Sequence, residues 1–377
     1  MQDSPATADR IPIAVFISPH GFGHASRAAA VMEALGDACR NVHPHIFTTV
    51  PEWFFSESLG SAYTYHHCLT DIGLVQTNPL EENLPETIRR LEGFFPFRDS
   101  QWEHLCQLIA RIGCRMIIAD ISPLAIHISR QTGIPSMLIE NFTWDWIYFP
   151  YAQQFQEFGL YIQYLRQIFR QADFHVQTDP LCERHPETLH AAPISRKVKT
   201  PRQEIRRRLD IPEKQPAVLI TMGGVKGGIN CLAGLTRRSD IVFILPGDDH
   251  PAARTANVIR LPHHSGFFHP DLVHAVDAVI GKAGYSTIAE IYHAGIPFGY
   301  VTRPNFRESE KLADFIAATM PGFPVTAAEF HCGDWLSRLD HLLCLPRFPT
   351  TRRNGSHQVA QYIIHRLGDT CEESDTP

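Results

Sequence analysis

The stretch GKAGYSTIAEIYHAGIPFGYV, residues 281–301, carries the strongest structural signal in this chain. The apolar run that ends at the start of this stretch predicts a buried strand. The pattern of residues after Gly284 predicts a helix, which ends before AGIP. The run PFGYV then predicts a second strand. Strand, helix and strand in this order are typical of a parallel sheet in an α/β protein.

The start of this predicted helix has the features of a phosphate site. Gly284 allows close backbone approach, and Tyr285, Ser286 and Thr287 would form the first turn, where free amides and the helix dipole favour anions. Glu290 follows Ser286 by four residues on the same side of the helix, where its carboxylate could bind a ribose diol. The alternative is an ordinary strand-to-helix connection with a serine cap and a surface glutamate.

Outward from this stretch, apolar runs and helical patterns alternate in two series. One begins with IPIAVFIS at residue 11, and the other begins with AVLITMGG at residue 217. We therefore predict an α/β fold with two Rossmann-like domains that face a central cleft. The predicted segments are a first domain 11–178, a linker 179–200, a second domain 201–350, a C-terminal helix 351–367 and an acidic tail 368–377.

Two further glycine-rich turns follow predicted strands. TMGGVKGG, residues 221–228, matches neither a Walker A loop nor a full G-x-G-x-x-G fingerprint, but its amides could cradle an anion. ISPHGFGHASRAAAV, residues 17–31, places His24 on the first turn of a helix, behind a loop in which Gly21 and Gly23 allow substrate to approach. A histidine at that position could also do no more than cap the helix.

GKAGYSTIAE followed by AGIPFGYV resembles the donor-binding signature of the GT-B glycosyltransferases that use nucleotide sugars. This branch includes the plant and drug-conjugating enzymes and the bacterial peptidoglycan GlcNAc transferase, and the resemblance spans most of the chain. Within it, PHGFGHASR, ENFTWDWIY and GKAGYSTIAE are similar to the glycosyltransferase-like N-terminal half of L-arabinokinases. No kinase half follows residue 350, so we do not expect sugar kinase activity.

The resemblance implies a nucleotide-sugar donor site on the second domain. The pyrophosphate would lie at Gly284, Ser286 and Thr287, and the ribose would lie at Glu290. Further implied donor contacts are Arg196 at the phosphates, Gly223 and Gly224 along them, Tyr285 in the helix turn, Phe267 near the base and Glu308 at the donor sugar. The usual D/E-Q pair is missing near Glu308, which leaves the donor sugar open.

On the first domain, the resemblance implies a catalytic dyad. Gly23-His24 matches the position of the catalytic base in the conjugating enzymes, and Asp120 in IIADISPLAIHIS matches the aspartate that orients it. Such a histidine takes the proton of an acceptor hydroxyl, and a carboxylate on its other nitrogen fixes the tautomer. The alternative is that both residues only cap helices.

We expect the acceptor to lie on the first domain, near the loop after the first strand and the aromatic stretch ENFTWDWIY. The candidate residues are His20, Gly21, Gly23, Arg27, Trp144 and Asp145. Arg27 could meet a donor phosphate or an acidic acceptor, or be an exposed helix residue without a role. Trp144 and Asp145 could form a sugar platform or a packed aromatic hinge.

Composition restricts the partners and the compartment. The 377 residues carry a formal net charge of −6, which gives no support to a nucleic-acid partner. Nine cysteines without a C-x-x-C fit reduced thiols, and the chain has no apolar stretch of the ~20 residues that a membrane span needs. We predict a cytoplasmic protein without a transmembrane segment, with peripheral membrane contact possible.

These observations predict a metal-independent, inverting glycosyltransferase of the EC 2.4 type. It would move a sugar from a UDP-linked donor to a hydroxyl of a small molecule, glycan or lipid-linked acceptor, with His24 as base and no cofactor. The 21 histidines are scattered without metal-ligand spacing. Two alternatives stay open: a non-catalytic nucleotide-sugar sensor, and a UDP-sugar 2-epimerase, for which the first domain shows no clear set of carboxylates.

Overall fold

The computed structural model describes residues 10–223, 231–248, 250–348 and 353–368. Gly224 of the predicted donor site lies outside these residues, as does the acidic tail from residue 369 onward.

The first domain is built on a sheet whose strands are apolar along most of their length. Its strands, with a separate small hairpin, are β1 (Ile11–Ile17), β2 (Val42–Thr48), β3 (Thr64–His67), β4 (Gln76–Asn78), β5 (Glu81–Glu82), β6 (Ile117–Asp120), β7 (Ser136–Glu140), β8 (Phe174–Thr178) and β9 (Leu189–Ala191). The parallel sheet has the order β3-β2-β1-β6-β7-β8-β9, and β4 pairs with β5. Strand β9 lies inside the range that we predicted as a linker, because three residues give too short a pattern to recognise.

Helices cover both faces of this sheet. They are α1 (Gly23–Ala38), α2 (Glu52–Ser58), α3 (Leu84–Phe94), α4 (Asp99–Ile112), α5 (Pro123–Thr132), α6 (Trp144–Tyr148) and α7 (Phe158–Phe169), with a 3-10 turn at Phe149–Gln153. Successive residues of β1 alternate between two cores, since Phe16 packs in one apolar cluster and Val15 in the other. Burial on both faces explains why the strands read as continuous apolar runs.

The second domain repeats this design. Its strands are β10 (Ala217–Thr221), β11 (Val242–Asp248), β12 (Ala253–Thr255), β13 (Val258–Pro262), β14 (Ala278–Lys282), β15 (Phe298–Val301) and β16 (Gly322–Val325). Its helices are α8 (Arg202–Arg208), α9 (Leu232–Arg237), α10 (His269–Ala275), α11 (Tyr285–Ala294), α12 (Glu308–Thr319), α13 (Ala327–Cys332) and α14 (Leu339–Cys344), with a 3-10 turn at Asp334–Arg338. The strand order is β12-β13-β11-β10-β14-β15-β16, in which β12 runs antiparallel to β13 and the other pairs are parallel.

The last helix, α15 (Gly355–Leu367), returns to the first domain. Val359, Ala360 and Ile363 are buried in the same apolar cluster as strand β1 and helix α1. A side chain at Gly355 would lie 2.0 Å from the carbonyl oxygen of Ala192, so only glycine fits where the chain crosses the segment between the domains. Helix α15 is therefore part of the core of the first domain, together with β1 and α1.

In both sheets the strand order reverses at the position that faces the cleft. β1 lies between β2 and β6, and β10 lies between β11 and β14. Loops at the carboxyl ends of such strand pairs form the ligand sites of open α/β sheets. The starts of α1 and α11 face each other here, since a Cβ on Gly23 would lie 3.9 Å from Ser286 Oγ.

Three histidines on neighbouring strands β2 and β3 predict an acid-sensitive fold. His45 Nδ1 lies 3.1 Å from His66 Nε2, and the rings of His43 and His45 are 5.1 Å apart. Burial, with the charges of His43 and His66, lowers the pKa of His45 to about 4, and burial also lowers the pKa values of His43 and His66.

Because the pKa of His45 lies below its unfolded value of about 6.5, the unfolded chain binds more protons between about pH 6.5 and pH 4. Stability is therefore lost as pH falls through this window. We expect the thermal unfolding midpoint to drop between about pH 7 and pH 5, and to drop less in His45→Gln. The exposed His67→Gln is the control. Equal drops in the wild type, His45→Gln and His67→Gln would contradict the prediction.

Candidate active site

A deep cleft between the two domains is lined by the loops that follow β1, β10, β14 and β15. At one end of the cleft, Trp53 of the first domain stacks on His264 of the second, with ring centroids 5.0 Å apart. Phe267 lines the same end, with the Arg208 guanidinium 4.4 Å from its ring. At the other end the loop after β1 meets the loop after β15.

The predicted phosphate cradle lies at the middle of the cleft. Gly284 is the residue before α11, and Ser286 and Thr287 of its first turn line the cleft beside Tyr285. The Tyr285 hydroxyl donates to Thr178 Oγ1 at 2.9 Å, which ties the helix start to the first domain. Gly223 also lines the cleft and has a positive φ of 75°, which explains the glycine at the end of β10.

Lys282, the last residue of β14, is a functional candidate that the sequence reasoning missed. A Cβ on Gly223 would lie 3.5 Å from both its Cε and Nζ atoms, so the amine stands beside the cradle. Burial lowers the pKa of Lys282 to about 7, and the positive charge of Arg303 adds to this effect. Its place at a strand end before a glycine turn is the signal that could have identified it.

Glu290 is buried and engaged by two basic side chains. Its Oε1 accepts a hydrogen bond from Arg196 Nη2 at 2.9 Å, and its Oε2 lies 2.7 Å from His269 Nδ1. Burial acts to raise the pKa of Glu290, but the charges of Arg196 and His269 outweigh it, so this carboxyl is held ionised. The Arg196 guanidinium lies between the rings of Phe54 and Phe268, 4.7 Å from each. Arg196 therefore holds Glu290, and it lines the same cleft as the start of α11.

His24 and Asp120, 96 residues apart in sequence, lie side by side. The Nδ1 atom of His24 is 2.9 Å from Asp120 Oδ1, and because a carboxylate only accepts, the tautomer with the proton on Nδ1 makes this hydrogen bond. Nε2 is then the nitrogen that can take a proton from substrate. Adjacent strands bring the pair together, since Ile17 at the end of β1 is in register with Asp120 at the end of β6.

Arg27 makes this pair a triad. Its Nε and Nη2 atoms donate to the two Asp120 oxygens at 2.9 and 2.7 Å, and its Nη1 donates to Asn141 Oδ1 at 2.7 Å. Its side chain is 1% exposed. Burial acts to raise the pKa of Asp120, but Arg27 and the hydrogen bond from His24 outweigh it and lower the pKa. In the structure the partner of Arg27 is Asp120. The partners that we considered from the sequence were a donor phosphate and an acidic acceptor.

Hydrogen bonds continue from this triad to the second domain. Asn141 Nδ2 donates to Oε1 of Glu308, the first residue of α12, at 2.8 Å. Glu308 is buried and lines the cleft. The expected contact with the donor sugar is therefore linked to His24 through Asn141, Arg27 and Asp120.

The acceptor candidates fall into two groups. His20, Gly21 and Gly23 line the cleft together with His24. Trp144 is buried, donates through Nε1 to Asp71 Oδ2 at 3.1 Å, and supports His20 by an edge contact at 5.2 Å. It is thus a packed support and not an open platform.

Asp145 points away from the cleft. It accepts from Arg166 Nε at 3.3 Å in a separate surface groove that also contains Trp146 and Arg307. Consecutive residues of a helix are about 100° apart around its axis, so Trp144 and Asp145 of α6 point in different directions. The structure therefore does not bring Asp145 to the other site residues.

Within the described ranges, no group of three or more His, Cys, Asp or Glu side chains is placed to hold a metal ion. No helix in the same part of the chain is long and apolar enough to cross a membrane.

Comparisons with known proteins concern the sequence and the fold of this chain. No protein-family model matches the chain. The chain is 25% identical over 374 residues to L-arabinokinase of Arabidopsis thaliana, covering 97% of this chain and 35% of that protein. The chain thus spans about a third of the length of the curated relative that it matches.

Similar solved structures include three glycosyltransferases. The glycotransferase of kitacinnamycin has a TM-score of 0.64 and 13% identity, with 95% and 99% of the two chains covered. Arabidopsis thaliana UGT89C1 with UDP has a TM-score of 0.63 and 12% identity, with 95% and 100% covered. Medicago truncatula UGT71G1 with UDP-glucose has a TM-score of 0.61 and 14% identity, with 95% and 98% covered. The predicted α/β fold is confirmed: this chain has the two-domain GT-B fold of these glycosyltransferases.

Proposed function

We propose that this chain is an inverting glycosyltransferase that takes a sugar from a UDP-linked donor and needs neither a metal ion nor a cofactor. The observation that supports this most directly is the position of His24 opposite the start of α11, across one cleft of a GT-B fold. Similar folds have been solved with UDP and with UDP-glucose.

In the proposed reaction, the acceptor hydroxyl oxygen attacks the anomeric carbon of the donor sugar. The hydroxyl proton passes to His24 Nε2, and the bond between the anomeric carbon and the diphosphate oxygen breaks, with its electron pair going to the diphosphate. Asp120 holds the ring in the productive tautomer and stabilises the imidazolium that forms. The transfer inverts the anomeric centre because attack and departure take place on opposite faces.

The leaving diphosphate would be stabilised by the chain itself. The amides and dipole at the start of α11 favour negative charge, and Lys282 places a cation beside them. A diphosphate next to Lys282 favours its protonated form, so binding would take up a proton at neutral pH. This stabilisation is the role that a metal ion plays in other phosphate-transfer sites.

A second candidate function is nucleotide-sugar binding without transfer. It is favoured by Arg27, since a permanent cation 3.2 Å from His24 Nδ1 opposes formation of an imidazolium there. A turnover assay on His24 variants separates the two functions.

The donor site is tested by nucleotide binding to the wild type and to Glu290→Gln. Glu290 Oε1 already accepts from Nε and Nη2 of Arg196, whereas Oε2 has a second lone pair for a ribose hydroxyl. The loss of this carboxylate should therefore weaken UDP by roughly 10–100-fold, equivalent to one charged hydrogen bond. We expect UDP, among UDP, GDP, ADP, TDP and CMP, to raise the unfolding midpoint. A hundredfold excess over Kd adds about 2.7 kcal/mol to the free energy of unfolding.

Affinities are then compared by calorimetry, because Glu290→Gln also shifts the midpoint of the free protein. Glu57→Gln is the matched control, since Glu57 lines the same end of the cleft but pairs with His264 at 3.0 Å. If none of the nucleotides binds, the proposed donor site is wrong. If Glu290→Gln binds UDP as tightly as the wild type, the ribose assignment is wrong.

A further inference from the structure

Arg303, in the loop after β15, is a buried cation with two guanidinium nitrogens that have no acceptor in the described part of the chain. Its side chain is 7% exposed, and it lines the reacting end of the cleft. Among the described residues, no atom accepts a hydrogen bond from its Nε or Nη1. Burial lowers the pKa of Arg303, and Glu308 and Glu82 oppose this effect only in part.

The residues around Arg303 offer further unused donors. Gln76 Nε2 is also buried without a partner in the described part of the chain, and Gln76 lines the cleft from hairpin strand β4. Glu82, the residue paired with Gln76 on β5, lies 3.4 Å from Arg303 Nη1, too far for a good hydrogen bond, and its buried Oε1 also has no hydrogen-bond partner among the described residues. The positive charge of Arg303 helps to lower the pKa of Lys282, so the two cations lie near each other.

This arrangement needs an acceptor-rich ligand. A buried guanidinium that lacks hydrogen bonds carries a large desolvation penalty, and native proteins almost always satisfy such groups. A carboxylate matches the planar fork of Arg303 and has lone pairs left for Gln76 and Lys282. The Phe306 ring, 3.4 Å from the Arg303 guanidinium carbon, fixes the plane of the fork without using its N–H groups.

Arg303 lies at the opposite end of the cleft from the proposed ribose site. Phe306 packs against the ring of His20, 6.4 Å away, in the core of the first domain. Burial, followed by the charge of Arg303, lowers the pKa of His20 well below its usual value. Arg303 thus lies at the His20 and His24 end, where the sugars meet, whereas Glu290 lies at the far end.

We propose that Arg303, with Gln76 and Lys282 beside it, binds the carboxylate of a uronic acid. This inference rests on the proposed function and names its substrate class. The carboxylate is carried either by the transferred sugar of the donor or by an acceptor sugar, and both sources present the same group to Arg303.

The test compares UDP, UDP-glucose, UDP-glucuronate and UDP-galacturonate by calorimetry on the wild type, Arg303→Met and Arg307→Met. Arg307 is the matched control, because it stacks on Trp146 at 3.9 Å and lines the separate surface groove. A charged, buried hydrogen-bonded pair predicts that one UDP-uronate binds roughly 10–100-fold tighter than UDP-glucose. The preference should vanish in Arg303→Met and persist in Arg307→Met.

The acceptor source is tested by adding glucuronate or galacturonate, with glucose as comparison, to protein saturated with UDP. Binding of a free uronate that is lost in Arg303→Met supports the proposal with the carboxylate on the acceptor. If UDP binds but no uronate is preferred in either arm, the proposal is overturned and the donor site stands. If Arg303→Met weakens UDP, UDP-glucose and the UDP-uronates equally, Arg303 serves the diphosphate and the proposal is overturned. If no uridine nucleotide binds, the proposed function fails, and this inference fails with it.

A stability measurement separates ligand binding from a structural role. Arg303→Met alone leaves the buried carboxylate of Glu82, 3.4 Å from Arg303 Nη1, without its cation, so a lower midpoint is expected for that variant. The double variant Arg303→Met with Glu82→Gln removes both charges and should leave the unfolding midpoint unchanged or raise it. A clear fall of the midpoint in the double variant would mean that Arg303 supports the fold, and would contradict its assignment to a ligand.

Discussion

His24→Ala is expected to lower sugar transfer by about 10²–10⁴-fold, the usual contribution of a general base, while leaving UDP affinity unchanged. The reason is geometric: His24 Nδ1 lies beside Asp120, which leaves Nε2 for the acceptor proton, and His24 belongs to α1 of the first domain whereas the proposed diphosphate site is at the start of α11 in the second. Turnover is measured as UDP released from the nucleotide sugar that binds best, with water and added sugars as acceptors. The exposed His67→Gln is a control for the loss of a histidine.

The outcome also decides between the two candidate functions. A transferase loses turnover and keeps binding, so kcat falls while the Kd for UDP stays constant. A binding module shows no release of UDP above background even in the wild type. If His24→Ala releases UDP as fast as the wild type, His24 is not the base, and the assignment drawn from the glycine-rich loop is wrong.

Much of the site could be predicted because it is built from local backbone features. Gly284 and the turn after it were recognised from a strand, a glycine and a helix pattern in sequence order. His24 and Asp120 came from the resemblance, and the structure explains their proximity by the adjacent strands β1 and β6. These features can be recognised in the sequence because each is formed by a short, continuous stretch of residues.

The roles of charged side chains were harder to predict, because each depends on a partner that is remote in sequence. Arg196 and Glu290 are 94 residues apart, and no local pattern links them. Arg27 did have a local signal, because it follows His24 by three residues and so lies on the same face of the helix. In the structure this face contacts Asp120. Arg303 had no signal, since its environment comes from the hairpin β4–β5 of the other domain.

Asp120→Ala should destabilise the first domain by about 3–5 kcal/mol, because it leaves the buried guanidinium of Arg27 without its counterion. Both side chains are 1% exposed, so water cannot replace the lost contact. The free energy of unfolding is measured by urea denaturation. Asp37→Ala is the matched control: Asp37 pairs with Lys197 at 2.5 Å, but both are about half exposed, so the expected loss is about 0–1 kcal/mol.

The double variant Arg27→Met with Asp120→Leu tests the origin of this loss. Replacing both members of a buried ion pair with apolar side chains is often neutral or stabilising, so most of the stability should return while transfer stays abolished. If the double variant is as unstable as Asp120→Ala, the loss comes from the backbone around Ile121, a buried β-branched residue with a positive φ of 47°. Asp120 thus holds Arg27 in the fold, and in the proposed reaction it also orients His24. A loss of activity in Asp120 variants is therefore evidence for the catalytic role only when the double variant is folded and inactive.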